Sequence, residues 1–199
     1  MNIEKTKTQI IETVIKNVVE MLTRRGLMDK DSLDDNINKY TKNHPDDQIY
    51  KLKLVQDASD KYTYLKLIPS NITAINKTSG IGDFLNSHSK DHCIIIVKDA
   101  SKKAQYDLRS RFPKAELFKE VDLMIDLLSH DTQPEMRLLT EEEKEDFYPN
   151  YYCMTKRHPS RILLSDPVSK YFNGKRGDIF QIVRPSTESG LANSYRVIV

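Results

Sequence analysis

His88, His92 and Cys93 are the closest approach to a metal-ligand set in this 199-residue chain, the two histidines at i, i+4 and the thiol adjoining the second. A structural zinc site needs about three or four converging N or S ligands. No further partner stands nearby at a telling spacing, so a loop or surface histidine pair is the simpler account. "SHD" at 129–131 holds the residue types of a hydrolytic triad, but adjacent residues cannot set three side chains in relay. Glu142-x-Lys144, inside "TEEEKED", ends like a nuclease acidic motif. Such motifs act from a strand beside a second carboxylate that shares a metal. These glutamates instead suit the first turn of a capped helix, where carboxylates meet the positive end of the helix dipole. "NGKRGD" at 173–178 lacks the leading glycine and the hydroxyl of a phosphate loop, and reads as a helix-ending turn with solvated Lys175 and Arg176. Tyr62 and Tyr64 beside Lys61 and Lys66 have the make-up of a base-stacking platform, although tyrosine alternating with lysine is common on exposed strands that bind nothing. No catalytic constellation survives, and no cofactor or metal is implied.

The elements that position these residues follow from periodicity. Ile3, Ile10, Ile11, Val14, Val18 and Leu22 recur at helical spacing, and Arg24, Arg25 and Gly26 supply the cations and glycine favoured at a helix C-terminus. Ser32 and Asp35 form a relaxed capping pair for a second helix, which must stop by His44 ahead of Pro45. Tyr50, Leu52 and Leu54 alternate with lysines, and Tyr62 to Ile68 makes a second strand-like run. "HCIIIVKD" is too continuously apolar to have one exposed face and belongs near the centre of a sheet. "SKKAQYDLRSRF" is helical, while "AELF" and "VDLMIDL" read as short strands, the second open to other periods. Beyond the polar "SHDTQPE", Thr140 and Glu143 make a capping box for a helix running to about Phe147. Asp166 as N-cap and Pro167 at the first helical position start a short helix that turns Val168, Tyr171 and Phe172 inward and stops at Gly174. Ile179, Gln181 and Val183, then Tyr195, Val197 and Val199, alternate on either side of the turn "STESG", giving an antiparallel ribbon.

With 38% hydrophobic and 30% charged residues and a mean hydropathy of -0.59, the chain can bury a core beneath a heavily charged surface. A net charge of +2 hides a pattern. Residues 1–120 hold 21 Lys/Arg against 17 Asp/Glu, residues 121–150 hold 2 against 9, and residues 151–199 hold 8 against 3. An acidic block between two mildly basic ones suggests segments that face different partners, and the basic excess is small for a dedicated nucleic-acid binder. The two cysteines, Cys93 and Cys153, exclude a disulfide scaffold and suit a reducing compartment. "MNIEKTKTQIIETVIKNVVEML" carries charge too often for a signal peptide or a membrane span, so no membrane partner is expected.

"SRILLSDPVSKYFNGKRGDIFQIVRPSTESGLANSYRVIV" resembles the C-terminal signature of the fifth subunit shared by eukaryotic nuclear RNA polymerases I, II and III, a module that has a counterpart in archaeal polymerases. The matching positions are Arg161-Ile162, Asp166-Pro167-Val168, Tyr171, Gly174, Gly177, Ile182, Arg184, Ser186, Glu188, Gly190 and Tyr195-Arg196. The chain departs from the pattern at Ser160, where the family has proline, at Ser169, where it has alanine, and at Pro185-Ser186-Thr187-Glu188-Ser189, which reorders the usual S-E-T. "VEMLTRRGL" is similar to the family's first helix, "HCIIIVKD" to its central strand, and "AELF" through His130 to its linking segment. Ser101-Lys102-Lys103-Ala104 stands where many members carry T-P-S-A in a loop near downstream DNA.

The resemblance implies a mixed fold, α+β overall: an N-terminal nuclease-like α/β jaw domain over 1–128 and a small C-terminal α+β assembly domain over 129–199. It implies a non-catalytic subunit of a multisubunit DNA-directed RNA polymerase. The assembly domain would dock on the largest subunit, near other polymerase subunits and transcription factors, and the jaw would lie beside downstream DNA. The partner-binding set it implies is Arg161, Asp166, Pro167, Val168, Tyr171, Arg184, Glu188 and Arg196, with Ser101, Lys102 and Lys103 close to DNA. An independent nuclease-like nucleic-acid-processing protein is the alternative, disfavoured by the missing strand-borne carboxylates. Abundant Lys, Ile, Asn and Tyr suit a large DNA virus with its own polymerase or an AT-rich protist. The expected location is nuclear for a cell, and cytoplasmic or virion-packaged for a virus.

Overall fold

The computed structural model describes residues 6–42, 49–54, 62–75, 80–130, 132–150, 159–186 and 190–199. They form two compact units, Met1–Ile125 and Asp126–Val199. In the first unit, α1 (Lys7–Arg24) begins at Thr6, whose hydroxyl accepts a hydrogen bond from the Gln9 amide at 3.3 Å while the Gln9 side chain accepts one from the Thr6 amide at 2.9 Å. This reciprocal box satisfies two otherwise orphaned donors. Val14, Ile15, Val18, Val19 and Leu22 are buried along one face, and Gly26 leaves the helix at φ 73°, where a side chain would be strained. Ile3 and His44 lie outside the described residues. In front of α2 (Leu33–Lys42), the Ser32 hydroxyl donates to the Asp29 carbonyl at 3.4 Å and accepts from the Asn36 side chain at 3.0 Å, in place of the expected pairing with Asp35.

β1 (Ile49–Lys53), β2 (Tyr62–Ile72), β3 (His92–Ala100) and β4 (Ala115–Lys119) form one sheet in that order, antiparallel between β1 and β2 and parallel thereafter. β3 is interior, as its sequence predicts, with Cys93 to Val97 all buried. β2 runs past Pro69, and its register shifts between Ile68 and Asn71; proline has no N–H for the ladder, so an irregularity is the expected result. The link from β2 to β3 contains α3 (Ile81–Ser87), which the sequence did not reveal because seven residues hold too few turns for a period. α4 (Lys102–Arg111) links β3 to β4. α3 and α4 cover the face bearing Cys93, Ile95 and Val97, through Ile81, Phe84, Leu85, Ala104 and Leu108. On the other face Ile10, Ile11 and Val14 of α1 line a crevice with Leu67 and Ile96. "VDLMIDL" is not a strand. Glu120–Leu123 form a 3₁₀ turn whose Leu123 carbonyl accepts from the buried Asn17 side chain at 2.7 Å, an acceptor that a sheet ladder would have occupied.

The second unit begins three residues before the boundary expected from composition, because Leu127 and Leu128 pack into its core. Its sheet has four strands in the order β5–β7–β8–β6: β5 (Glu135–Leu138), β6 (Ser160–Ile162), β7 (Ile179–Ser186) and β8 (Gly190–Ile198). The antiparallel β7–β8 ribbon is present as expected, but β5 and β6, too short to show a period, extend it on both sides. One face packs Phe180, Ile182, Ile162 and Ile198 beneath Val168 of α6 (Pro167–Tyr171). The other packs Ile179 and Val197 beneath Phe147 of α5 (Glu141–Asn150). The capping box before α5 has the expected form, Glu143 N to Thr140 Oγ1 at 3.2 Å and Thr140 N to Glu143 Oε2 at 2.9 Å, and the helix runs on to Asn150 with Pro149 in its last turn.

Candidate subunit interface

The side chains that invited chemistry are absorbed into structure. His88 lies against Tyr64 and Phe84, ring centroids 4.0 and 4.8 Å away, with its Nδ1 3.0 Å from the Phe84 carbonyl. His92 Nε2 stands 2.6 Å from Glu116 Oε1. Burial, and then the Asp91 charge, push the Cys93 thiol up to about 11, so it stays protonated at neutral pH and is a poor nucleophile. Among the described residues, no group of three or more His, Cys, Asp or Glu could hold a metal. Glu142 is exposed in the first turn of α5, while Lys144 is paired with Glu141 at 2.8 Å and Asp178 at 2.6 Å. Asp131 lies outside the described residues, and His130 Nδ1 is engaged by Thr132.

The stretch around α6 is the most fully determined surface-forming segment. Asp166 caps the helix through Oδ1, which accepts from Val168 N at 2.9 Å, and Pro167 starts it. Val168 and Tyr171 are buried, and Phe172 contacts Tyr171 and Phe180 edge-on. The chain leaves the helix through Asn173 at φ 51°. At Gly174 a Cβ would collide with Ile198 Cδ1 and press on the Ser169 carbonyl. "NGKRGD" is then a turn closed by Asp178: its Oδ2 accepts from Lys175 N at 2.7 Å, its Oδ1 takes Lys144 Nζ, and its carbonyl accepts from Ile198 N at 2.8 Å. The turn, with Lys175 and Arg176 exposed, is thereby held between α5 and β8.

Strand alternation separates the three arginines. Arg184 and Arg196 lie on the Phe180–Ile182 face, whereas Arg161, paired with Val197, lies on the opposite face at the β6 edge. None forms an ion pair among the described residues; Arg161 and Arg184 are exposed and Arg196 is partly covered. Glu188 lies outside the described residues. The sequence did not single out Leu163 and Leu191, which are 63% and 71% exposed on this unit; no periodic signal marks an apolar residue left outside the core. In the first unit, the Ser101 hydroxyl caps α4 at Ala104 N (3.1 Å) and also donates to the Thr73 carbonyl, which fixes the helix entry and leaves Lys102 and Lys103 exposed.

The described residues thus form a mixed α/β unit and a small α+β unit that carries a braced basic turn. Residues 125–198 match the family described as RNA polymerase Rpb5, C-terminal domain. Over its whole length the chain is 33% identical to "DNA-directed RNA polymerase subunit 5" of Acanthamoeba polyphaga mimivirus, covering 97% of that protein. It is 32% identical to "DNA-directed RNA polymerases I, II, and III subunit RPABC1" of Caenorhabditis elegans, over 53% of this chain and 51% of the relative. Against the Dictyostelium discoideum protein of the same description it is 30% identical, over 59% of this chain and 61% of the relative. The chain belongs to the family of DNA-directed RNA polymerase subunit 5.

Proposed function

We propose that the chain works as a non-catalytic subunit of a DNA-directed RNA polymerase, that its C-terminal unit docks on the largest subunit, and that its N-terminal unit forms part of the jaw beside downstream DNA. The observation that carries the reading is a coincidence of boundaries: the family match at 125–198 falls on the compact unit Asp126–Val199. A unit of this size buries a smaller share of its surface than a larger domain does and gains from a larger neighbour. Its exposed leucines and arginines supply what such an interface uses, apolar contact and cations for partner carboxylates. Asp166, Pro167, Val168 and Tyr171 shape the unit; Arg184 and Arg196 offer cations to the partner on one sheet face, and Arg161 offers one at the β6 edge. Ser101, Lys102 and Lys103, at the start of α4, give the other unit a phosphate-facing helix end. The nuclease-like alternative has no support, since Glu142 and Lys144 stand on a helix and Lys144 is already paired. The full-length likeness to a giant-virus protein favours the viral setting, with the chain in the cytoplasm or virion.

Co-purification of tagged full-length chain with the large polymerase subunits tests the reading. Arg184→Glu, at an exposed strand position, is expected to weaken recovery of the largest subunit without lowering the yield of folded chain. Recovery of no polymerase subunit by the unaltered chain would overturn the assignment.

A further inference from the structure

The outer end of the first sheet carries a surface that the polymerase assignment leaves unexplained. Pairing of Lys51 with Tyr64 and of Lys53 with Tyr62 puts these four on one face, with Lys66 next along β2. The opposite face is apolar and buried through Leu52 and Leu65, with the Thr63 side chain buried beside them. Lys51 Nζ lies 3.8 Å from the Tyr62 ring centre and 5.9 Å from that of Tyr64. The Tyr64 ring continues onto His88, and the turn that follows carries exposed Lys90, whose carbonyl holds exposed Lys114 at 2.7 Å. Lys66, which the sequence grouped with the tyrosines, bonds instead to the Gly80 carbonyl at 3.2 Å, and Lys61 lies outside the described residues. β1 and β2 contain no carboxylate at all; α3 and the turn add only Asp83 and Asp91. The patch is distinct from the Ser101–Lys103 loop. Ser101 is tied to Thr73, beyond the far end of β2, and the strand between Tyr62 and Ile72 spans roughly 30 Å.

We propose that this face binds single-stranded nucleic acid, with a base stacked on Tyr62 and phosphates held by Lys51 and Lys90. Lysines alone would suit any polyanion, a duplex included. Aromatic rings between them add recognition only for unpaired bases, whose faces are open. In the free protein the Lys51 ammonium covers the Tyr62 ring. An arriving base takes that place and moves the ammonium onto the neighbouring phosphate, so the cation–ring contact is exchanged for a stack and an ion pair.

The test is a fluorescence-anisotropy titration of the full chain with a labelled oligothymidylate at low salt, repeated across a salt series. Lys51→Glu/Lys90→Glu is expected to weaken binding on the order of tenfold or more, and to lower the salt slope by about 0.7 for each phosphate no longer neutralised. Tyr62→Leu keeps apolar bulk on the strand, so the fold persists; it is expected to weaken binding by roughly fivefold or more while leaving the salt slope unchanged. Photocrosslinking of an iodouracil oligonucleotide should mark the peptide containing Tyr62 and Tyr64, a readout that a misfolded variant cannot imitate. Three results would overturn the proposal: no binding by the unaltered chain, loss only with Lys102→Glu/Lys103→Glu, or equal competition by polyglutamate, which would indicate an acidic protein partner. Because Arg184→Glu co-purification reads the other unit, either claim can fail while the other stands.

Discussion

Ser169 places a hydroxyl in the core of the second unit with no exposure and, among the described residues, no hydrogen-bond partner. An unpaired buried hydroxyl opposes folding, and the alanine usual at this point of the family signature removes it. Ser169→Ala is therefore expected to stabilise the chain by about 1 kcal/mol in urea unfolding; a loss of stability would mean that the oxygen has a partner. Five residues on, Gly174 is favoured by tight packing, against the tip of Ile198 and the Ser169 carbonyl, rather than by backbone freedom. Gly174→Ala is expected to cost about 1–3 kcal/mol through overpacking against Ile198. Ile198→Val removes the colliding Cδ1, so the double variant should be more stable than the sum of the two single losses predicts; strict additivity would argue against a direct clash. At the surface, Arg137 grips Glu143 with both guanidinium nitrogens at 2.8 Å. That hydrogen bond, joined by the Thr140 amide, draws the carboxyl down to about 2. NMR titration of Arg137→Ala should show Glu143 moving back toward ordinary carboxylate values.

At the scale of elements, α1 is fastened to the sheet by a buried ionic tie at its C-terminus. Arg25 Nη1 and Nη2 donate to Glu116 Oε1 and Oε2 at 2.7 and 2.9 Å, and His92 links the same carboxylate to Thr63 of β2. The Arg25 and Glu116 side chains are only 5% and 12% exposed, so water does little to screen them. Burial alone would raise the Glu116 carboxyl, but the His92 hydrogen bond and the Arg25 charge outweigh it and hold the group below its ordinary 4.5. A folded value below the unfolded one gives stability that is full above the unfolded value and is lost as pH falls through the folded value. Urea midpoints should therefore decline from about pH 4.5 downward, and Glu116→Gln should remove this part of the decline. At neutral pH the same substitution takes the Glu116 charge away from the buried Arg25 and is expected to cost about 3 kcal/mol or more.

At the scale of the whole molecule, the two units have separate cores, one around β3 and one around β7. Phe180→Ala empties the second, where Phe180 is fully buried, and such truncations cost about 3–5 kcal/mol. Hydrogen exchange should then accelerate through the β5–β8 ladders while the amides of β3 keep their protection. Uniform loss across both units would mean that they unfold as one. The subunit role and the single-strand patch proposed above use this division, one assigned to each unit.

Local chemistry alone specified much of this protein. The stop at Gly26, the Thr140–Glu143 box, the Asp166–Pro167 helix start and the continuously apolar central strand each depend on a few adjacent residues, so each is legible in the chain itself. Short elements were not: α3, β5 and β6 are held by partners distant in sequence and are too brief to show a period. The patch at Tyr62 was half visible. Its tyrosines alternate in the sequence, but only strand pairing brought Lys51 over the ring and sent Lys66 elsewhere. The tertiary structure likewise decided the fate of the reactive side chains, because whether a histidine, thiol or glutamate can do chemistry depends on what the fold packs against it. For His88 and Lys144 those neighbours are the Tyr64 ring and the Asp178 carboxylate, each brought in from a distant part of the chain.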